Sequence, residues 1–202
     1  MPYFARTVWM RRRGMPGFGG WFGQKVLAGG GPMIDLGVHR IDLALWLMEY
    51  PTPTWVMARM SNHIASPIAQ QQGKEFDVED FATAMITFDT GASMDVQASW
   101  ASNVGRQEIM ETRVLGTHGG LLQHNIDGSY TFEAKIYEER HGCQLTTVLD
   151  PPYPSAPTPF FHFADAIVND YPHIATAEEG ITVMKLLDAI YASAEKDEPV
   201  HI

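Results

Sequence analysis

Cysteine is almost absent: Cys143 is the single one in 202 residues. That excludes an internal disulfide and any metal site built on thiolates, and leaves a lone reduced thiol. Long apolar runs are missing too. They are broken by charge or glycine before the roughly 20 residues that a membrane-spanning helix needs. The opening stretch Met1-Pro2-Tyr3-Phe4-Ala5-Arg6 has neither an apolar signal core nor a small-residue cleavage site, so a cytoplasmic location is expected. Positive charge is scarce. The 14 Lys and Arg stand against 24 Asp and Glu, and a formal net charge of −10 repels a phosphate backbone and argues against nucleic acid. The one basic run, Arg11-Arg12-Arg13, is too short to reverse that.

What is present suits a folded domain. Apolar residues make up 45% and charged residues 19%, which argues against disorder, and the length fits a single domain over residues 1–202. Tyr3 to Met10 alternates as a strand. Gly14 to Gly23 is a loop dense in glycine with aromatics between, which either line a pocket or cover the edge of the core. Gly29-Gly30-Gly31-Pro32 leads into a helix over Met33 to Met48, apolar on most of its circumference and therefore expected to be buried.

Strands follow. Thr54 to Asn62, Val78 to Phe88 and Ala92 to Trp100 read as strands, the last two joined by a hairpin turn at Asp89-Thr90-Gly91. Ile64 to Lys74 reads as a polar loop. Further strands are expected at Glu108 to Leu115, Gly120 to His124, Ser129 to Glu133 and Ala134 to Glu138. A proline-rich loop at Pro151-Pro152-Tyr153-Pro154 precedes a short helix, Phe160 to Asn169, whose aromatics around Phe160 and Phe161 read as buried. Thr176 and Glu179 form a capping box for a last helix with Ile181, Met184, Leu187, Ile190, Tyr191 and Ala194 at helical spacing. Strands grouped between helices predict an α+β domain with a mainly antiparallel sheet.

The chemistry-bearing pattern is Asp35-x-x-x-His39. With Asp42 these residues occupy i, i+4 and i+7 on one helix face, a polar stripe that is costly unless something meets it. Histidine exchanges a proton near neutral pH, and a carboxylate one turn away orients the ring. That suits removal of a hydroxyl proton as hydride leaves the same carbon. A plainer reading competes: a carboxylate favouring the helix N-terminus, with a histidine bonded to a neighbouring loop. A metal site on Asp35, His39 and Asp42 is disfavoured for want of an identifiable third strong ligand. Asp42 reads as structural, and His162 either reaches the pocket or packs.

The stretch Ala28-Gly-Gly-Gly-Pro-Met-Ile-Asp35-Leu-Gly-Val-His39-Arg-Ile-Asp42-Leu-Ala-Leu-Trp-Leu-Met48 resembles the signature helix of the glucose–fructose oxidoreductase/inositol dehydrogenase (Gfo/Idh/MocA) family. Trp9 to Phe22 is similar to the loop before that helix in sugar-acting members. Val78 to Ala84, Asp89 to Ala92, Gly116 to Gly120, Asp188 to Ala194 and Pro199-Val200 extend the likeness over the whole chain. The resemblance implies the substrate-side, C-terminal part of an NAD(P)-dependent sugar or polyol dehydrogenase. Its fold would be an open, mostly antiparallel sheet flanked by helices, like the C-terminal domain of dihydrodipicolinate reductase. It would form a dimer or tetramer through the sheet face.

In that reading His39 stands at the reacting carbinol and Asp35 is its partner in orienting substrate. Gly29, Gly30 and Gly31 let the backbone approach nicotinamide and sugar. Arg11, Arg13 and Trp21 contact the sugar, or else are a solvated charge run beside a packed aromatic. The departure is equally clear: no Gly-x-Gly-x-x-Gly turn sits in a βαβ unit, and the family's catalytic lysine has no counterpart. No dinucleotide-binding domain is therefore expected in this chain, no tight NAD or NADP binding to it alone, and no turnover by it alone. The alternative expectation is a stand-alone, non-catalytic sugar-binding or oligomerisation module.

Overall fold

Alternation places Pro2–Arg11 in β1, with Ala5 and Thr7 fully buried on either side of exposed Arg6. The structure, a computed structural model, describes residues 1–149, 153–154 and 157–202. After β1 come a 3-10 turn at Trp21–Gly23, a short helix α1 (Lys25–Ala28), a π-helical turn at Met33–Gly37 and α2 (Val38–Leu47). Then follow β2 (Pro53–Ser61), α3 (Ala65–Gln71), β3 (Phe81–Phe88), β4 (Ser93–Ser99), β5 (Glu108–Gly116), β6 (Gly119–Asn125), β7 (Phe132–Arg140) and β8 (Cys143–Leu149). Helices α4 (Pro159–Asn169) and α5 (Ala177–Lys196) and the short β9 (Val200–His201) complete it.

Among the described residues the strands form one nine-stranded sheet in the order β8-β7-β6-β5-β1-β4-β3-β2-β9. The α+β, mainly antiparallel expectation holds. One pair departs from it: β1 runs parallel to β4, with Thr7 opposite Val96, and every other pair is antiparallel.

One face of the sheet's centre carries the core. There α5 packs on β2, while α2 and the π turn pack on β1, β4 and β5. Small side chains on the strands (Ala58, Ala82, Ala84, Ala98) let larger ones from the helices (Leu36, Ile41, Leu45, Leu186, Ile190) seat deeply, all of them buried. Each such Leu or Ile contributes about 1.5–3 kcal/mol by leaving water. Ser193 of α5 satisfies the edge of β2 where β9 stops pairing. Its Oγ accepts from the Ala58 N–H at 3.0 Å and donates to the Glu198 carbonyl at 2.7 Å. The capping box is present: Thr176 Oγ1 accepts from the Glu179 N–H, and Glu179 Oε2 from the Thr176 N–H. No helix among the described residues is long and apolar enough to cross a membrane.

Several local expectations need correction. The helix expected from Met33 begins as a π turn. Ile64 to Lys74 is not all loop: Asp80, at the head of β3, accepts from the N–H groups of Ile64 and Ala65 at 2.7 and 2.6 Å and starts α3 from a distance. Local polarity cannot reveal a cap supplied by another element. The strands expected at Ser129 to Glu133 and Ala134 to Glu138 are one strand, β7, because its pairing with β6 runs without a break from Phe132 to Glu138. β8 and β9 were not anticipated.

On α5 the buried stripe is Val183, Leu186, Leu187 and Ile190, while Ile181 and Met184 turn outward. Phe160 and Phe161 are 87% and 75% exposed, so the expectation that they are buried fails. The apolar side of α4 lies outside the core. Pro151 and Pro152 of the proline-rich loop lie outside the described residues.

Candidate functional site

The C-terminal end of β1 and the N-terminal end of α2 meet at one end of the sheet, and the expected site residues gather there. Asp35 sits on the π turn, a wide turn of a kind frequent at functional sites. It is half-buried, and its Oδ2 accepts from the Trp100 indole N–H at 2.8 Å. His39 lies in the first turn of α2, exposed, its ring 5.9 Å from that of Trp9 and tilted by 48°. Among the described residues no hydrogen bond joins Asp35 to His39. The carboxylate is held from behind by Trp100 and the imidazole rests against Trp9. That leaves an exposed imidazole on the same helix face as an oriented carboxylate.

Arg11 is committed. Its Nε donates to Glu108 at 2.8 Å and its terminal nitrogen to the Tyr130 hydroxyl at 3.1 Å. Glu108 also accepts from the indole N–H of Trp9 and, at 3.2 Å, from Tyr130. Arg13 is exposed and turns toward Asn103, donating to its Oδ1 at 2.9 Å. Trp21 is 59% exposed and packs against Phe22, with ring centres 4.5 Å apart and planes tilted by 54°. Phe22 in turn lies 5.7 Å from Trp100. The structure thus brings His39, Trp9 and Arg11 into one cluster and Asp35, Trp100, Phe22 and Trp21 into another beside it. Arg13 belongs to neither.

The glycines divide. Gly29 has φ +81°, a left-handed conformation that favours glycine, with open space on its Cβ side except for Ile34 at 3.7 Å. Gly30 and Gly31 are buried. A Cβ on Gly30 would meet the Tyr191 hydroxyl at 2.0 Å, and one on Gly31 the Glu79 carbonyl at 2.1 Å. Internal packing therefore already demands glycine at both.

The partner in that packing is Glu79, a buried carboxylate that sequence reading missed. It accepts from the N–H groups of Gly31 (2.9 Å) and Met33 (3.1 Å) and from the Tyr191 hydroxyl (2.8 Å). Burial pushes its carboxyl up, against the opposing pull of those hydrogen bonds. Burial and the neighbouring carboxylate push the Tyr191 hydroxyl up as well. A cavity of about 260 Å³ adjoins this clamp, lined among others by Lys25, Asp77, Glu79, Tyr191 and Glu195.

Arg40 was also missed. It is 4% exposed, donates to Gln123 at 2.8 Å, and places its guanidinium over the rings of Trp9 and Phe132. Desolvation pushes it down to about 10. The available signals were weak: Glu79 and Asp80 are adjacent charges at the head of an apolar strand, and Arg40 is one charge on an otherwise apolar helix. Asp42 accepts from the Tyr50 hydroxyl at 2.6 Å, a structural tie. His162 accepts from the Ile174 N–H at 3.0 Å and packs near Tyr171.

Beside His39, a groove of about 580 Å³ runs between α2 and α5, lined by Val38, Asp42, Ile181, Met184 and Asp188 among others. Among the described residues, no group of three or more His, Cys, Asp or Glu side chains could hold a metal ion. Of the three glycines, Gly29 keeps exposed backbone with open space beside it, while Tyr191 and Glu79 fill the space at Gly30 and Gly31.

A sequence model of the GFO/IDH/MocA C-terminal domain matches residues 2–122. The D-glucoside 3-dehydrogenase of Escherichia coli (strain K12) is 30% identical over 209 aligned positions, taking in 99% of this chain and 56% of that protein. Among solved structures, the aldose–aldose oxidoreductase of Caulobacter crescentus complexed with glycerol superposes with a TM-score of 0.76 at 22% identity, over 100% of this chain and 56% of that one. A levoglucosan dehydrogenase in complex with NADH and levoglucosan gives 0.78 at 21% identity, over 100% and 58%. Those two likenesses speak for the fold. The chain spans about half the length of the relatives it matches.

Proposed function

We propose, for a chain that belongs to the GFO/IDH/MocA family and matches its C-terminal domain, that it is the substrate-side part of an NAD(P)-dependent oxidoreductase acting on a sugar or polyol hydroxyl. The observation that carries the proposal is the pairing at the head of α2: an exposed His39 against Trp9, next to an Asp35 whose carboxylate is fixed by Trp100. A nicotinamide bound by a dinucleotide-binding part outside residues 1–202 supplies the hydride acceptor, and this chain's residues do the rest. His39 takes the proton of the reacting hydroxyl, Asp35 accepts a hydrogen bond from that or a neighbouring hydroxyl, and the carbon is left as a carbonyl. Trp21 offers an exposed indole face to sugar C–H edges. Arg11, bound to Glu108 and Tyr130, shapes the wall and has fewer donors to spare. Gly29 lets the backbone approach the reacting groups. Arg13 is the weakest of the sugar-contact candidates, because it turns away.

The sugar class is supported by relatives whose names specify a glucoside, aldoses and levoglucosan. The opposite face of the sheet, where Trp55, Met85, Arg6 and Tyr137 emerge, is the surface through which we expect a dimer or tetramer, in the cytoplasm. The test is to isolate the protein as its host makes it, take its intact mass, and assay it with NAD and NADP against glucosides, free aldoses and polyols. Reduction of a nicotinamide by one of these sugars supports the reading. A correctly folded protein that reduces neither cofactor with any of them rejects it.

A further inference from the structure

Trp100 is 1% exposed and sits just past the end of β4, where its backbone N–H donates to the Asp80 carbonyl at 3.0 Å. A buried indole has one polar atom to satisfy, and this one spends it on Asp35 Oδ2 at 2.8 Å, a charge-assisted bond. Asp35 Oδ1 accepts no hydrogen bond from the described residues and stays available to a bound hydroxyl. The ring of Trp100 packs against Phe22 at 5.7 Å and Phe76 at 6.3 Å, and Phe22 packs in turn against Trp21. One buried side chain therefore touches both the acidic member of the site and the aromatic loop that carries an exposed indole.

We propose that Trp100 is a positioning residue, fixing through its N–H the direction in which Asp35 meets substrate and through its ring the seat of the Trp21 loop. This rests on the oxidoreductase reading and adds a residue to it. A carboxylate on a wide π turn has rotamers to choose among. A single donor from the rigid core selects one of them, and small displacements of such a group cost rate more than binding.

The test uses the enzyme as its host makes it, with Trp100→benzothienylalanine, which keeps the bicyclic ring and removes only the N–H donor. Trp100→Phe serves as a second variant. With the most active sugar, kcat is expected to fall roughly 10–100-fold. In the benzothienylalanine variant the KM for nicotinamide and the melting temperature should stay unchanged, whereas Trp100→Phe should also lower the melting temperature through the cavity it leaves. Added to Asp35→Ala, the same change should cost nothing further, because both remove one interaction. Unaltered kcat, or a loss that multiplies with that of Asp35→Ala, overturns the positioning role while leaving the oxidoreductase reading intact. Absence of sugar oxidation by the wild-type enzyme overturns both.

Discussion

The two halves of the sheet are built differently. On β2, β3, β4 and β1 one face lies beneath α2, α5 and the π turn, and Val56, Ala82, Ile86, Met94 and Val96 are wholly buried. On β8 all seven residues are exposed, with Leu145, Val148 and Leu149 each at 40%. The covered half holds Asp35, Trp100 and Glu79 with core side chains and hydrogen bonds, the kind of support that fixed geometry requires, and His39 stands exposed beside them. The bare half has strand pairing but little packing. A surface of that kind suits contact with something else. The two halves of one sheet thus differ in how firmly they hold what they carry.

The largest stability effect should come from the covered half. Gly31→Ala forces a Cβ against the Glu79 carbonyl, which is backbone and cannot swing aside, and is expected to cost about 3 kcal/mol by urea denaturation. A cost below about 0.5 kcal/mol would mean that the clamp around Glu79 is loose.

A smaller effect depends on pH. Burial raises the folded-state pKa of Glu79, so the folded protein holds this proton more tightly than the unfolded chain. Stability from this group is therefore greatest below the ordinary carboxylate range and declines as pH rises through the raised value. Glu79→Gln lacks that dependence. The stability advantage of wild type over Glu79→Gln should shrink as pH rises across that window, as thermal melts at several pH values would reveal. An advantage that grows with pH would reverse the assigned balance between burial and hydrogen bonding.

The smallest effect belongs to the bare half. Val148→Thr should change the unfolding free energy by no more than about 0.5 kcal/mol in dilute protein. A loss of 2 kcal/mol or more would break the comparison. A loss that appears only at high concentration would mean that a second copy covers this surface.

The covered half was also the more legible in sequence. The strands β1, β2, β3 and β4, the helix behind the three glycines and the Thr176–Glu179 capping box are local patterns, and each appears close to where expected. The outlying pieces failed because their causes are not local. α3 is capped by Asp80 across the fold, and β8 is too uniformly half-polar to announce itself. Phe160 and Phe161 look like core side chains in sequence but stand on a helix outside the core.

At the site, Asp35 and His39 were legible from spacing and company. The partners that hold them, Trp100 just past the end of β4 and Trp9 on β1, carry no mark of it in sequence. Gly30 and Gly31 were read as making room for a ligand. Tyr191 and Glu79 already fill that room, and only the folded structure brings residues so distant in sequence together.

The central claim is that His39 removes the hydroxyl proton as hydride leaves a sugar carbon, and isotope transfer tests it most directly. A glucoside deuterated at every ring carbon is incubated with the protein as its host makes it and with oxidised nicotinamide, and the reduced cofactor is analysed by mass spectrometry. The account predicts one deuterium in the cofactor with wild type. With His39→Ala the rate should fall roughly 10²–10⁴-fold, with folding intact because the side chain is exposed. Transfer at the wild-type rate in His39→Ala would contradict it.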